Sequence, residues 1–281
     1  MDRLENLNAI IQGLMADEHV SHRIPASLQE KQRMMRALMN VWEPKEVPAE
    51  LLAMQDAELQ QQAEDKGIVD PLSSPLGGKT DSFSPKEGLL LWQGDITRLK
   101  VDAIVNAANA QGLGCWAPLH NCIDNCIHSA AGIQLRKECY DQLQGRLLKT
   151  GEAIMTKGYN LPAKHVIHTV GPIISPLPTS PRGEKLSLFP PKGDERGVTP
   201  EQEAQLAQCY RSCLDLAEQA GLESIAFCCI STGVFHFPNE RAAEIAIETV
   251  KNYSQQSLKT IVFNVFLDKD YEIYQRLLTT D

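Results

Sequence analysis

No stretch of this chain is apolar enough to cross a bilayer: the longest unbroken apolar run, Ile225 to Ile230, falls far short of the roughly 20 residues a spanning helix needs. No secretory leader is expected either. The first residues, MDRLENLNAIIQGL, mix acids and bases with apolar positions at helical spacing and offer neither a continuous apolar segment nor a small-residue cleavage site. The expected location is therefore the cytoplasm, with no membrane partner. There is no excess of basic residues. Lys and Arg number 27 against 36 Asp and Glu, for a net charge of −9 and a pI near 5.3. That balance argues against a nucleic-acid partner, which requires a basic face to displace counterions. An anionic small ligand stays open, because backbone N–H groups bind phosphate without Lys or Arg. Internal repeats and low-complexity tracts are absent as well, and 43% hydrophobic with 22% charged residues describes an ordinary globular protein. Eight cysteines without a leader read as thiols or metal ligands rather than as a disulfide framework.

Two changes of character divide the chain. Residues 1–75 read as a small helical extension: Leu4, Leu7, Ile11 and Leu14 form one stripe, and Leu28, Met35, Leu38, Met39 and Trp42 form another behind a capping box at Ser27 and Glu30. This extension is acidic and free of cysteine, and is read as a packing or partner-binding accessory. Pro, Gly and Ser crowd residues 71–85, and a linker is expected at 76–85. From residue 86 to 281, apolar runs at 89–92, 103–105, 165–170, 224–230 and 260–267 alternate with helical patterns near 124–139, 201–220, 239–254 and 269–278. That alternation predicts an α/β fold with helices on both faces of a sheet. Thr199 as cap, Pro200 at the first helical position, Gln202 and the terminator Gly221 bound the helix at 201–220, and its Cys209 and Cys213 read as buried packing thiols. Residues 172–200 hold 7 of the 16 prolines and form a long loop, read as a surface insertion.

The densest chemistry lies in CWAPLHNCIDNCIH, Cys115 to His128. Cys115, His120 and Cys122 can converge from a turn forced by Pro118, and a Cys2His set suits zinc. Three ligands leave a coordination position open, whereas Cys126, one helical turn after Cys122, would close it. The spacing is no standard CxxC pair, so buried or redox thiols are the alternative reading. Asp124 is either a functional carboxylate or a cap for the helix that follows. His128 is assigned to the helix packing face. His165 and His168 lie three apart on a strand, point to opposite faces and cannot share a metal; Cys228 and Cys229 likewise point opposite ways. Polar residues at strand ends, Gly94-Asp95-Ile96-Thr97 and Val105-Asn106-Ala107-Ala108-Asn109, and the strand-to-helix loop from Ser231 to Phe235, mark the carboxyl edge of the predicted sheet as the binding edge.

In their order, GDIT, VNAAN, CIDNCIHSAAG, HTVGP (168–172) and ISTGVFHFP (230–238) resemble the macrodomain family, which recognises ADP-ribose. The insertion GCWAPLHNCID is similar to that of its zinc-dependent, ADP-ribosyl hydrolase branch. The resemblance implies a three-layer α/β/α macrodomain with a mixed central sheet. It also implies that Asp95 and Ile96 hold the adenine and that the amides of Ser231, Thr232, Gly233, Val234 and Phe235 hold the diphosphate. Phe235 would pack on the distal ribose and Asn109 would contact it. One Zn2+ would sit on Cys115, His120 and Cys122, with Asp124 and Asn109 as the catalytic residues. The implied activity is removal of mono-ADP-ribose from protein side chains, Asp or Glu foremost, beside a sirtuin-like ADP-ribosyltransferase. Two other classes fit the same motifs: a reader that binds ADP-ribose without cleaving it, and a deacylase of O-acyl-ADP-ribose.

Overall fold

The computed structural model describes residues 2–17, 19, 21–71, 80–84 (backbone path), 88–174 and 197–279. Its centre is a seven-stranded mixed sheet in the order β1-β2-β7-β6-β3-β5-β4. The five inner strands, β2 (Leu89–Gln93), β7 (Thr260–Val265), β6 (Ser224–Phe227), β3 (Ala103–Ala107) and β5 (His165–Thr169), run parallel. The edges β1 (Thr80–Ser84) and β4 (Ala153–Lys157) are antiparallel to their neighbours. Helices α4 (Ile123–Ala131), α5 (Ile133–Leu143), α6 (Pro200–Gln219), α7 (Asn239–Lys251) and α8 (Asp268–Thr279) pack on the sheet. Inner strands covered on both faces must be apolar throughout, and every residue of β6 and β7 is buried.

The apolar runs mark five strands correctly, and the differences from expectation lie at the sheet edges, in one helix and at the end of β6. The 76–85 linker contains a strand: Thr80 pairs with Trp92 and Ser84 with Leu89, so the segment extends the sheet. Its sequence, TDSFS, carries little apolar signal. β4, AIMTK, at the other edge, also went unpredicted, and only its Thr156 is fully buried. The single helix expected over 124–139 is two, broken where Gly132 adopts φ +106°, a conformation side chains rarely take. β6 stops at Phe227, so Cys228 and Cys229 lie just beyond it. Of the 172–200 loop, residues 175–196 lie outside the described residues.

The capping signals hold. Thr199 and Gln202 form a reciprocal box, Pro200 opens α6, and beyond its end Gly221 takes φ +65° while Leu222 N–H returns to the Ala217 carbonyl. Cys209 and Cys213 are fully buried.

Upstream lie α1 (Arg3–Asp17), α2 (Leu28–Val41) and α3 (Ala49–Lys66). Their shared core, including Leu7, Ile11, Leu14, Met35 and Trp42, also takes in Ile133 of α5. The extension therefore packs directly against the first helices after β3. Among the described residues no helix is long and apolar enough to span a membrane.

Candidate functional site

Because the five inner strands are parallel, their carboxyl ends open on one edge of the sheet, where α/β proteins bind ligands. Asp95 follows β2, Asn109 follows β3, Gly171 follows β5 and Ser231 to Phe235 follow β6. Asp95 caps a 3-10 turn, Ile96–Arg98: its Oδ1 accepts from Thr97 N (3.0 Å) and Thr97 Oγ1 (2.7 Å), and Lys66 Nζ of α3 lies 3.5 Å from Oδ2. Ile96 is buried beneath it.

The loop after β6 has the properties of an anion cradle. None of the five amides from Ser231 to Phe235 donates a hydrogen bond among the described residues, although the flanking His236 and Phe237 amides donate back to Gly233 and Ser231. Ser231 holds φ +66°, and its buried hydroxyl has no partner among the described residues. A Cβ at Gly233 would meet nothing within 4 Å, whereas one at Gly171 would stand 1.9 Å from Ser231 Oγ. Consecutive free amides around a left-handed residue form a concavity suited to phosphate. Thr232, Val234 and Phe235 complete the loop, with Val234 exposed and Phe235 half-buried.

Beside this edge, the donor atoms of Cys115, His120 and Cys122 lie within 4.8 Å of one another, with Cys115 Sγ 3.5 Å from His120 Nδ1. Cys126 is outside the group. Two thiols and an imidazole at this separation fit a zinc ion. Cys122 is the N-cap of α4 and accepts from Asn125 N at 3.4 Å. Burial, with neighbouring Cys115 and Asp124, pushes its thiol up to about 12 in the metal-free protein. A bound cation would reverse that preference.

The N-cap is therefore Cys122 and not Asp124, which is the second residue of α4. Asp124 is buried, and its carboxyl is pushed up to about 6 by desolvation, partly offset by the hydrogen bond from Asn106 and the charge of Arg136. Asn106 Nδ2 donates to Asp124 Oδ1 (2.8 Å), and Asn109 Nδ2 reaches Oδ2 (3.3 Å) and the Gly114 carbonyl (3.0 Å). Asn109 Oδ1 accepts from the amides of Gln111 and Gly112, which fixes the amide orientation. The structure thus brings Asp124, Asn109 and the Cys115 loop together at one end of the binding edge, with Asp95 at another strand of it.

His128, Cys139 and His168 form a second, wholly buried group. His168 approaches Asn106 Nδ2 (3.1 Å) and Thr156 Oγ1 (3.0 Å), so both ring nitrogens are already engaged, and burial holds its pKa down to about 3. His128 packs against Gly114 at 3.6 Å from Asp124 Oδ1, too long for a hydrogen bond. This group is a packed polar network behind Asp124. His165, on the other face of β5, is half-buried and approaches the Thr156 carbonyl.

Sequence reasoning missed four contributors. Asn106 sits inside the quoted VNAAN motif but on a buried strand position that reads as core. Phe266, 71% exposed immediately after β7, has its carbonyl held by Gln93 at the Asp95 end of the edge; an exposed aromatic at a strand's carboxyl end was the available signal. Arg36 and Asn40 reach the loop of residues 115–122 from α2, a contact no local pattern announces.

A family model described as "Macro domain" matches residues 105–188 and 191–246. Protein-ADP-ribose hydrolase from Staphylococcus aureus (strain MSSA476) is 41% identical over 295 residues, covering 100% of this chain and 99% of that one. A Fusarium oxysporum f. sp. cubense protein called "Probable bifunctional ADP-ribose hydrolase/ADP-ribosyltransferase" is 39% identical and covers 93% of this chain but 42% of that one. Among solved structures, the Trypanosoma brucei macrodomain in complex with ADP-ribose superposes with a TM-score of 0.60 at 28% identity, covering 86% and 94% of the two chains. With the family model falling on the strands and loops of the binding edge, and a full-length relative this similar, the chain belongs to the macrodomain family.

Proposed function

We propose that the protein is a zinc-dependent hydrolase that removes mono-ADP-ribose from modified protein side chains, with Asp and Glu as the linked residues. The observation that carries this reading is the convergence of Cys115, His120 and Cys122 beside the Asp124–Asn109 pair, at the edge that also presents the free amides of residues 231–235. The names of the Staphylococcus and Fusarium relatives support the activity.

In this reading Asp95 and the Ile96 backbone hold the adenine, and Phe266 offers an apolar surface beside it. The amides of Ser231 to Phe235 take the diphosphate, and Phe235 packs on the distal ribose. Asn109 orients that ribose against Asp124. Cleavage at the anomeric carbon builds positive charge on the sugar and requires an activated water. Asp124, with a carboxyl raised toward neutrality, is suited to exchange a proton with that water near physiological pH. Zinc on Cys115, His120 and Cys122 would supply Lewis acidity, lowering the pKa of water or of a ribose hydroxyl. The Fusarium chain's combined name supports an ADP-ribosyltransferase as the source of substrate, the role that the family resemblance gives to a sirtuin-like partner.

The test incubates an Asp/Glu-ADP-ribosylated protein with zinc-loaded enzyme, chelator-treated enzyme and Cys122→Ala, following substrate mass and released ADP-ribose. Release by the zinc-loaded form alone is expected. Binding of ADP-ribose without release by any form would overturn hydrolysis of this linkage and leave the reader or deacylase reading.

A further inference from the structure

The loop carrying Cys115, His120 and Cys122 is held in place from outside its own domain, by Arg36 of α2. Arg36 Nη2 donates to the His120 carbonyl at 2.9 Å and to Asn125 Oδ1 at 2.8 Å, with Nε also 3.3 Å from Asn125 Oδ1. Asn125, fully buried, passes that restraint to the other two ligand residues. Its Nδ2 donates to the carbonyls of Ala117 (3.0 Å) and Cys115 (3.4 Å), and its main-chain N–H meets Cys122 Sγ. One guanidinium therefore links all three residues within two contacts. A second α2 side chain, Asn40, accepts from the Leu119 amide at 2.9 Å. It pins a residue held at φ +61° immediately before His120.

The same Nη2 lies 3.8 Å from Cys126 Sγ. Cys126 is one helical turn beyond Cys122, on the same face of α4, and its chemistry suits a fourth ligand. Its sulfur is nevertheless outside the 4.8 Å group. The two hydrogens of Nη2 are directed to the His120 and Asn125 oxygens, and the positive charge of the same group lies against the sulfur.

We propose that Arg36 is a positioning residue of the metal loop that keeps Cys126 out of the ligand set, so that three protein ligands bind the ion and one coordination position stays open for substrate. The inference rests on the metal reading given under the proposed function. It assigns the helical extension a part in the site, where the sequence suggested a mere accessory.

Cobalt(II) alone is the probe, because it takes zinc's tetrahedral sites and the intensity of its sulfur-to-metal charge-transfer band counts bound thiolates. The full chain, Cys126→Ser, Arg36→Ala and the Arg36→Ala/Cys126→Ser double variant are titrated. The wild-type and Cys126→Ser bands should match. Arg36→Ala should raise the band to about one and a half times wild type as a third thiolate joins the two. Cys126→Ser in that background should abolish the gain, a reversal that a merely structural role for Arg36 would not produce. Should Arg36→Ala unfold, Arg36→Lys, which keeps the cation but loses the planar fork, is read instead and should show the same gain in part. A wild-type band with no change on substituting Arg36 in either variant overturns the proposal while leaving the metal reading intact. So does a wild-type band that falls by about a third in Cys126→Ser, since the thiol would then already be bound. Absence of any wild-type band overturns the metal reading and the proposal with it.

Discussion

Arg136 and Trp42 are joined across 94 positions of sequence by a 2.6 Å hydrogen bond from the guanidinium Nη1 to the tryptophan carbonyl. The remaining donors of this buried side chain reach Asn40 O (2.9 Å), Met39 O (3.3 Å) and, from Nε, Leu113 O (2.6 Å), and the guanidinium lies over the Trp116 ring at 4.0 Å. The carbonyls at residues 39, 40 and 42 close α2, where orphan acceptors and the negative end of the helix dipole favour a cation. One side chain of α5 therefore caps the helix that carries Arg36 while holding the loop that carries Cys115.

Arg136→Met should accordingly lower unfolding free energy by about 3 kcal/mol, since it leaves several buried carbonyls without a donor. Arg136→Lys should recover less than half of the loss, because an ammonium cannot fork to three directions from a planar frame. Urea unfolding of the three proteins measures this. Full recovery with Lys would show that charge alone matters at this position.

Asp124→Asn separates chemistry from binding. The side chain keeps its shape and an acceptor for Asn106 but loses the capacity to take a proton. Turnover should fall by about 10² to 10⁴, while affinity for ADP-ribose stays within about threefold and stability within about 1 kcal/mol. Single-turnover release and calorimetric titration are the measurements. Retention of more than a tenth of the rate would remove Asp124 from the proton-transfer role.

Gly233, inside the loop after β6, and Gly171, beside it, should behave oppositely. Around Gly233 a Cβ meets only open space, so Gly233→Val should leave thermal stability nearly unchanged yet fill the path to the free amides and weaken ADP-ribose binding at least about tenfold. At Gly171 the Cβ would collide with Ser231 Oγ, so Gly171→Ala should destabilise the fold as well as the loop, by about 1–3 kcal/mol. Thermal melts with and without ADP-ribose distinguish them. Equal binding by Gly233→Val and wild type would remove that loop from the ligand path.

How much of this was legible beforehand depended on whether a feature was local. α6 announced both ends because Thr199, Pro200, Gln202 and Gly221 each act within one helical turn. Five inner strands announced themselves because burial on both faces demands continuous apolar runs. β1 and β4 did not, since TDSFS reads as a loop and β4 buries only one of its five residues fully. The proximity of Cys115, His120 and Cys122, which lie within eight residues, was visible as spacing. Arg36 and Asn125, which hold that trio, are 89 positions apart and have no local signature. The break at Gly132 was hidden because the apolar pattern of α4 continues into α5, and only the left-handed backbone at the glycine separates them.

Acid stability offers a further test of the network behind Asp124. His168 is buried and neutral, with its pKa held from the ordinary 6.5 down to about 3 by desolvation. Below pH 6.5 the unfolded chain takes up a proton at this residue that the folded chain refuses, so its contribution is fully present above that pH. It is lost as pH falls toward 3, at about 1.4 kcal/mol per pH unit. His128, also depressed by burial, acts in the same direction. Asp124 opposes them below about 6, because the folded state holds a proton that the unfolded carboxyl keeps only near its ordinary 3.8. Cys139, raised by burial, stays neutral throughout. His168→Gln removes one imidazole while retaining an acceptor for Asn106. Whatever its stability at neutral pH, its unfolding free energy should therefore fall less steeply than wild type between pH 6 and 4, by about 1.4 kcal/mol per unit. Parallel slopes in the two proteins, measured by urea unfolding across that range, would mean that His168 is protonated in the folded state and that the Asn106 contact is made in another form.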